Sequence, residues 1–376
     1  MEICQQILED GAQPSSTLTG PAHLVLVFGS TARLAALPLE RLRALHPQAL
    51  IVGCSTAGEI LDTRVTDNTL TLTAIRFAAV GVRLAHTRID APENSAAAGQ
   101  ALARQLPSEG LRHVLVLSDG LHVNGTELVE GLRTGLPATV AVTGGLSGDG
   151  AAFKRTLVVA DAPASENTIA AIGFYGDALR VGYGSLGGWD PFGPDRLITR
   201  ARGNVLFELD GQSALALYRR YLGDHAAGLP ATGLLFPLEL HGKAGSKEQG
   251  LVRTILSVNE DEQSMTFAGD MPEGMYARLM RANFDRLIEG ASGAAKATCE
   301  PHGGAPAELA ILISCVGRKL VLQQRIEEEV ESVREVLGKG AALTGFYSYG
   351  EISPSVPSAK CELHNQTMTV TTFSEA

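Results

Sequence analysis

The chain has 376 residues, 45% hydrophobic and only 19% charged, which is enough to bury a large core and favours two domains over one. A formal charge of −10 with no run of Lys or Arg argues against nucleic acid and against an anionic membrane surface as partners. Five cysteines, an odd number with no C-x-x-C pair, argue against a disulfide framework, a finger-type zinc site and a covalently attached haem.

In chain order, His23 to Phe28 is a continuous apolar run of strand length, closed by Gly29-Ser30. A short helix with Leu39, Leu42 and Leu45 on one face follows, Pro47 forbids its continuation, and Ala49 to Val52 gives the next strand. Thr69, Thr71 and Thr73 alternate with Leu70, Leu72 and Ala74, which predicts a half-buried strand. A second unit starts with the Ala-rich helix Ser95 to Leu106 and the strand Val114 to Leu117. Asn124 then caps a helix whose apolar face is Leu128, Val129, Leu132 and Leu136. Thr139 to Val142, Thr156 to Ala160 and Thr168 to Phe174 read as strands, and the Gly- and Pro-rich stretch Gly182 to Pro194 as a long loop before the domain boundary.

In the second half, Asp210 is placed as the N-cap of a helix through Leu222, Gly242 to Gly250 as a polar loop, and Leu251 to Leu256 as a strand carrying Arg253. A helix is predicted from about Met275 to Glu289, stopping at Gly290, with a small-residue loop from Ala291 to Pro306. Leu309 to Val316 is the last buried strand, and Ile326, Val330, Val333 and Leu337 mark a helix ended by Gly338. The apolar run Leu309 to Val316 is too short for a bilayer span, and the acidic start Met1-Glu2-Ile3-Cys4 lacks a signal core. The expectation is a cytoplasmic protein without membrane insertion. Its fold class is α/β (mixed α+β), with domains at 20–205 and 206–376 built from a repeated strand-helix-strand-loop-strand unit.

The repeat is carried by Gly53-Cys54-Ser55-Thr56-Ala57-Gly58-Glu59-Ile60 and Gly345-Phe346-Tyr347-Ser348-Tyr349-Gly350-Glu351-Ile352, both G-x-x-[ST]-x-G-E-I. Thr143-Gly144-Gly145-Leu146-Ser147-Gly148-Asp149 is a third, weaker relative. Each Gly-Glu pair sets a carboxylate where a strand ends; Glu59 and Glu351 are either site residues or acceptors for turn amides. The late copy replaces Ser55 and Ala57 with Tyr347 and Tyr349, phenols able to wall a pocket. Glu351 with Arg253 or Arg318 would hold the two ends of a zwitterion such as an amino acid.

Cys315 ends a buried strand three residues from Arg318, and Cys54 lies inside the early motif; each is a reactive thiol or an inert core residue. No Ser/His/Asp or Cys/His arrangement follows from spacing, so the chain reads as a sensor rather than an enzyme. The alternatives are a thiol or carboxylate enzyme using Cys315 or Glu351, and a scaffold without ligand. Among nine histidines, His241, His302 and His364 stand in loop or strand-start contexts that suit a haem or metal ligand.

Taken with Ser118-Asp119-Gly120, Ser314-Cys315-Val316-Gly317-Arg318 and Leu363-His364-Asn365-Gln366-Thr367-Met368, these motifs resemble those of the FIST (F-box and intracellular signal transduction) sensory proteins across nearly the whole chain. The resemblance implies a bacterial small-ligand sensor, proposed in this family for ligands such as amino acids. It would act on a histidine kinase or a cyclic-dinucleotide signalling protein. A stand-alone form resembles the nitric-oxide-sensing haem proteins of the family, with His241 and His364 as candidate haem ligands here.

Overall fold

The computed structural model describes residues 1–9, 12–245, 250–302, 305–355 and 359–376. Three units of one design make up the core. The first comprises β1 (Glu2–Leu8), β2 (Leu24–Gly29), helices α1 (Thr31–Ala35) and α2 (Leu39–Leu45), β3 (Leu50–Ser55), the hairpin β4 (Glu59–Leu61) and β5 (Arg64–Thr66), and β6 (Leu70–Arg76). The second comprises β7 (Gly81–Arg88), α3 (Ser95–Gln105), β8 (Leu111–Ser118), α4 (Gly125–Gly135), β9 (Ala141–Leu146), β10 (Val158–Ala160) and β11 (Thr168–Tyr175).

The third opens with β12 (Leu179–Leu186) and is interrupted by an inserted domain. The insert contains β13 (Asp190–Pro191), β14 (Arg196–Arg202), β15 (Val205–Leu209), β16 (Gln212–Ser213), α5 (Ala214–Leu222), β17 (Leu238–His241), β18 (Leu251–Arg253), β19 (Ile255–Asn259), β20 (Ser264–Phe267) and β21 (Tyr276–Arg281). The third unit resumes with α6 (Phe284–Ala297), β22 (Leu309–Cys315), α7 (Val316–Leu322), α8 (Ile326–Leu337), β23 (Ala342–Ser348), the hairpin β24 (Gly350–Pro354) and β25 (Cys361–His364), and β26 (Met368–Glu375).

Read from the same edge, the three core sheets run β1-β6-β2-β3-β10, β7-β11-β8-β9-β24-β25 and β12-β26-β22-β23-β4-β5. In each, two parallel strands (β2/β3, β8/β9, β22/β23) are flanked by an antiparallel returning strand and closed by strands lent from another unit. Unit one lends β4 to β23, unit three lends β24 to β9, and unit two lends β10 to β3, so the exchange closes in a circle. Residues 20–205 and 206–376 therefore share sheets.

The registers make Gly53, Gly144 and Gly345 equivalent, each opposite the matching residue of its parallel partner. A Cβ on them would lie 1.8, 1.9 and 1.8 Å from the carbonyl oxygens of Val27, Val116 and Leu312, so only glycine fits. Four residues on, the amides of Ala57, Gly148 and Tyr349 donate to the carbonyls of Tyr347, Ser55 and Leu146 at 2.8, 2.9 and 3.2 Å. These three bonds join matching positions of successive units and tie them into a ring.

The inner faces of the sheets fill the space they enclose. Phe28 meets Phe346 at 4.8 Å between ring centroids and Phe174 meets Phe373 at 5.1 Å, amid Leu26, Leu115, Leu117, Ile311 and Ile313. Thr71 and Thr73, expected on a half-exposed face, are buried instead, because unit three packs over β6 and Thr73 hydrogen-bonds Thr344 at 2.9 Å. Helices α3 and α4 cover the second unit and α6 and α8 the third.

Other expectations change as well. Gly182 to Leu186 is strand, since Gly182 and Gly184 let α6 close on β12, with Thr298 and Ala294 carbonyls 2.1 and 2.5 Å from where a Cβ would stand. Tyr276 to Arg281 is strand and the helix starts at Phe284, capped by Asn283, then runs through Gly290 to Ala297. Small residues at Gly290, Ala291, Ala294 and Ala295 mark a close-packed helix face, the pattern that had read as a loop. Ser213, not Asp210, caps α5; Asp210 has φ 51° and accepts from the Leu197 amide. Within the expected Gly242–Gly250 loop, residues 246–249 lie outside the described residues.

Candidate functional site

At the two Gly-Glu loops the carboxylates do the same work. Glu59 accepts from Thr56 Oγ1 (2.6 Å), Thr69 N (3.0 Å) and Thr69 Oγ1 (2.7 Å); Glu351 accepts from Ser348 Oγ (2.6 Å), Thr367 N (3.2 Å) and Thr367 Oγ1 (3.0 Å). Both are buried, and each ties its loop to the start of the returning strand, just after Asn68 or Gln366 with φ 59° or 63°. Burial raises the pKa of both, that of Glu351 to about 8. In unit two, where Gly150 takes that position, Asp119 receives the equivalent turn instead, accepting from Asn167 N (3.2 Å) and Thr156 Oγ1 (3.0 Å).

Tyr347 and Arg318 are fully buried and meet at Glu329. Tyr347 Oη donates to it at 2.7 Å, Ser314 Oγ at 3.1 Å and Arg318 Nη2 at 2.8 Å, while Arg318 also donates to the carbonyls of Gly187 (2.5 Å) and Leu287 (2.7 Å). Cys315 is buried beside them, its thiol pushed up by burial and by the charge of Glu351, and burial does the same to Cys54. Thiolate chemistry is disfavoured at both. Arg253 lies apart from this cluster: it donates to the carbonyls of Leu363 (2.9 Å) and Asp270 (3.2 Å), clamping the insert onto β25, and burial lowers it to about 10. Of the late-loop residues, Tyr349 lines a cavity.

Three matching crevices lie where the parallel strands end, between the segment that follows the first strand of one unit and the motif loop of another. Carboxyl ends of strands are where open α/β sheets collect ligands. The first, about 280 Å³, is lined by Ser30, Thr31, Gly58, Asp67, Asp149 and Arg155. A second is occupied by Lys319 of α7, whose Nζ donates to the Ala57 carbonyl (2.8 Å) and to the Asp67 carboxylate. The remaining one is enlarged to about 620 Å³, because unit two has loop rather than helix after β8 and the insert forms a roof.

Its floor is Gly120, Leu121, Val123 and Leu146, its roof Arg202, Asn204, Val205, Leu256, Thr266 and Ala268, and Tyr349 is one wall. Tyr349 is held by Phe153, stacked at 4.3 Å, and by bonds from its hydroxyl to Asp149 and to the Gly150 carbonyl (3.1 Å). Asn124, which caps α4, also bonds Asp270 of the insert at 3.0 Å, so the floor and the roof are tied. Sequence reasoning missed the roof, since nothing local in residues 202–205 or 266–268 announces where the insert docks.

On the other side of Arg253, a cavity of about 470 Å³ brings His241 and His364 together with Leu186, Leu240, Leu251, Val252 and Met275. His302, by contrast, is bonded to Ser374 and Thr372, both at 2.8 Å. His364 Nε2 donates to the Ser353 carbonyl at 2.9 Å, and burial lowers its pKa to about 4. His241 Nε2 lies 3.1 Å from Asp195, and its buried Nδ1 has no partner among the described residues. Asp195 braces the imidazole of His241, which would be the axial ligand of a haem held here, while His364 is committed to the Ser353 carbonyl.

Three comparisons relate the chain to known proteins. A search of solved structures finds 21 matching chains, among them a cyanuric acid hydrolase from A. caulinodans at 7% identity and a TM-score of 0.34, covering 94% of this chain and 90% of that one. At that score the likeness carries no functional weight. No curated protein matches the chain. The family models for the FIST N domain and the FIST C domain match residues 23–212 and 214–354. They thus cover most of the sequence, and the chain belongs to the FIST family of signal-transduction sensor proteins.

Proposed function

We propose that the protein is a bacterial cytoplasmic small-ligand sensor, not an enzyme, that acts on a separate signalling partner such as a histidine kinase, and that its ligand sits in the roofed crevice at Tyr349. The observation that carries this is the departure from three-fold likeness: of the three crevices, one is enlarged, given an aromatic wall and covered by a second domain. A ligand there touches both bodies at once, so binding favours one docking geometry of the insert and offers a partner a changed surface. Catalysis is disfavoured because Cys315 and Glu351 are sealed in the core, with partners of their own.

A metabolite panel read by thermal shift tests this. At a hundred times its Kd a ligand adds about 2.7 kcal/mol, and Ala268→Trp, which fills the crevice, should remove that gain. Turnover of an ester or amide library that disappears in Cys315→Ala would instead restore the enzyme reading.

A second reading rests on the cleft beyond Arg253, where the buried Nδ1 of His241 has no partner among the described residues. A haem held by His241 would supply a gas-binding iron to the same family of sensors. Protein expressed with haem available would then show a Soret band that shifts with nitric oxide and is lost in His241→Ala, while His364→Ala retains it.

A further inference from the structure

We propose that the roofed crevice binds an aliphatic di- or polyamine, an inference that rests on the assignment of the ligand to that crevice. The protein contains its own example of the chemistry. In the matching crevice next to unit one, the alkylammonium of Lys319 is bound by a motif-loop carbonyl, Ala57 O, by the Asp67 carboxylate, and by the face of Tyr347, 5.6 Å from the ring centroid. The approach depends on Gly58, where a Cβ would stand 2.4 Å from Nζ.

The roofed crevice offers the same kinds of group and lacks the lysine. Leu121, Val123 and Asn124 follow β8 in place of α7, and the phenol ring is supplied by Tyr349. Glu93 and Glu127 stand on its wall with Asp270 beside them, and the mutual repulsion of these acids adds to burial in raising the pKa of Glu127. Arg202, the cation on this wall, is exposed at its rim. Leu121, Val123, Val205 and Leu256 suit a methylene chain, and the acids suit its charged ends. A free amino acid would bring a carboxylate against Glu93 and Glu127.

Calorimetry on the full chain with putrescine and spermidine, beside alanine and glutamate as controls, tests the assignment. The amines should bind and the amino acids should not. Glu127→Gln should weaken amine binding about tenfold, as expected for one charge-assisted hydrogen bond. Ala268→Lys, which places an ammonium in the crevice from the roof, should abolish it with the circular dichroism unchanged. If the amines fail to bind while another panel compound loses binding in Ala268→Lys, the crevice stands and the amine assignment falls. Amine binding that survives Ala268→Lys overturns the assignment of the ligand to this crevice as well.

Discussion

At Glu59 and Glu351 the early and late Gly-Glu loops agree bond for bond; two residues earlier they part, with Ala57 in one and Tyr349 in the other. The agreement belongs to folding, since each glutamate anchors the return of the chain to its own sheet. The divergence belongs to the site, since among the ring residues Ala57, Gly148 and Tyr349 it is Tyr349 that brings an aromatic wall to a cavity. A repeated fold thus separates its structural residues from its functional ones: what the repeats share holds the ring, and where one repeat departs from the others a ligand has room.

The largest effect should come from the shared part. Gly345→Ala forces a Cβ against the Leu312 carbonyl and should cost more than about 4 kcal/mol, so that the protein is insoluble or melts far below wild type. Ala57→Gly, at a ring position where only the backbone bonds, should cost no more than about 1 kcal/mol by the same melt. Arg318→Met should follow closely, at about 3–5 kcal/mol in urea unfolding, because Glu329 is left buried and charged without its partner.

A pH series sharpens the comparison of the two glutamates. Burial lifts Glu351 from 4.5 to about 8, so between those values the folded state holds a proton that the unfolded chain has released. Stability from this group is fully present below about 4.5, declines as pH rises through that window and is lost above about 8. Urea midpoints should therefore fall from pH 5 to pH 8, and Glu351→Gln should flatten the slope. A smaller effect on stability than that of Gly345→Ala or Arg318→Met is expected at the divergent residue. Tyr349→Phe removes the bond to Asp149, which retains the amides of Phe153, Lys154 and Arg155, and should cost about 1.5 kcal/mol while weakening ligand binding.

Much of this was legible in the sequence. The G-x-x-[ST]-x-G-E-I copies marked two of the three units, and the weaker Thr143–Asp149 copy proved to be the third, its missing glutamate replaced from a distance by Asp119. Local signals placed α4 at its Asn124 cap and α8 up to Gly338. What could not be read was exchange: nothing in Glu59–Leu61 or Gly350–Pro354 says that these strands pair with a sheet built by another unit, because backbone ladders carry no address. For the same reason Arg253 and Arg318, both expected at a ligand, turned out to be internal clamps. Their partners are backbone carbonyls and a glutamate whose proximity only the fold creates.

Where the ligand sits is tested most directly by blocking the two clefts on either side of Arg253 separately. Ala268→Trp fills the crevice at Tyr349 and Leu251→Trp fills the cavity at His241; each variant is taken through the same thermal-shift panel as wild type, with folding checked by circular dichroism. The compound that stabilises wild type should no longer stabilise Ala268→Trp and should still stabilise Leu251→Trp. The reverse pattern would contradict this placement and move the sensing site to the histidine cleft.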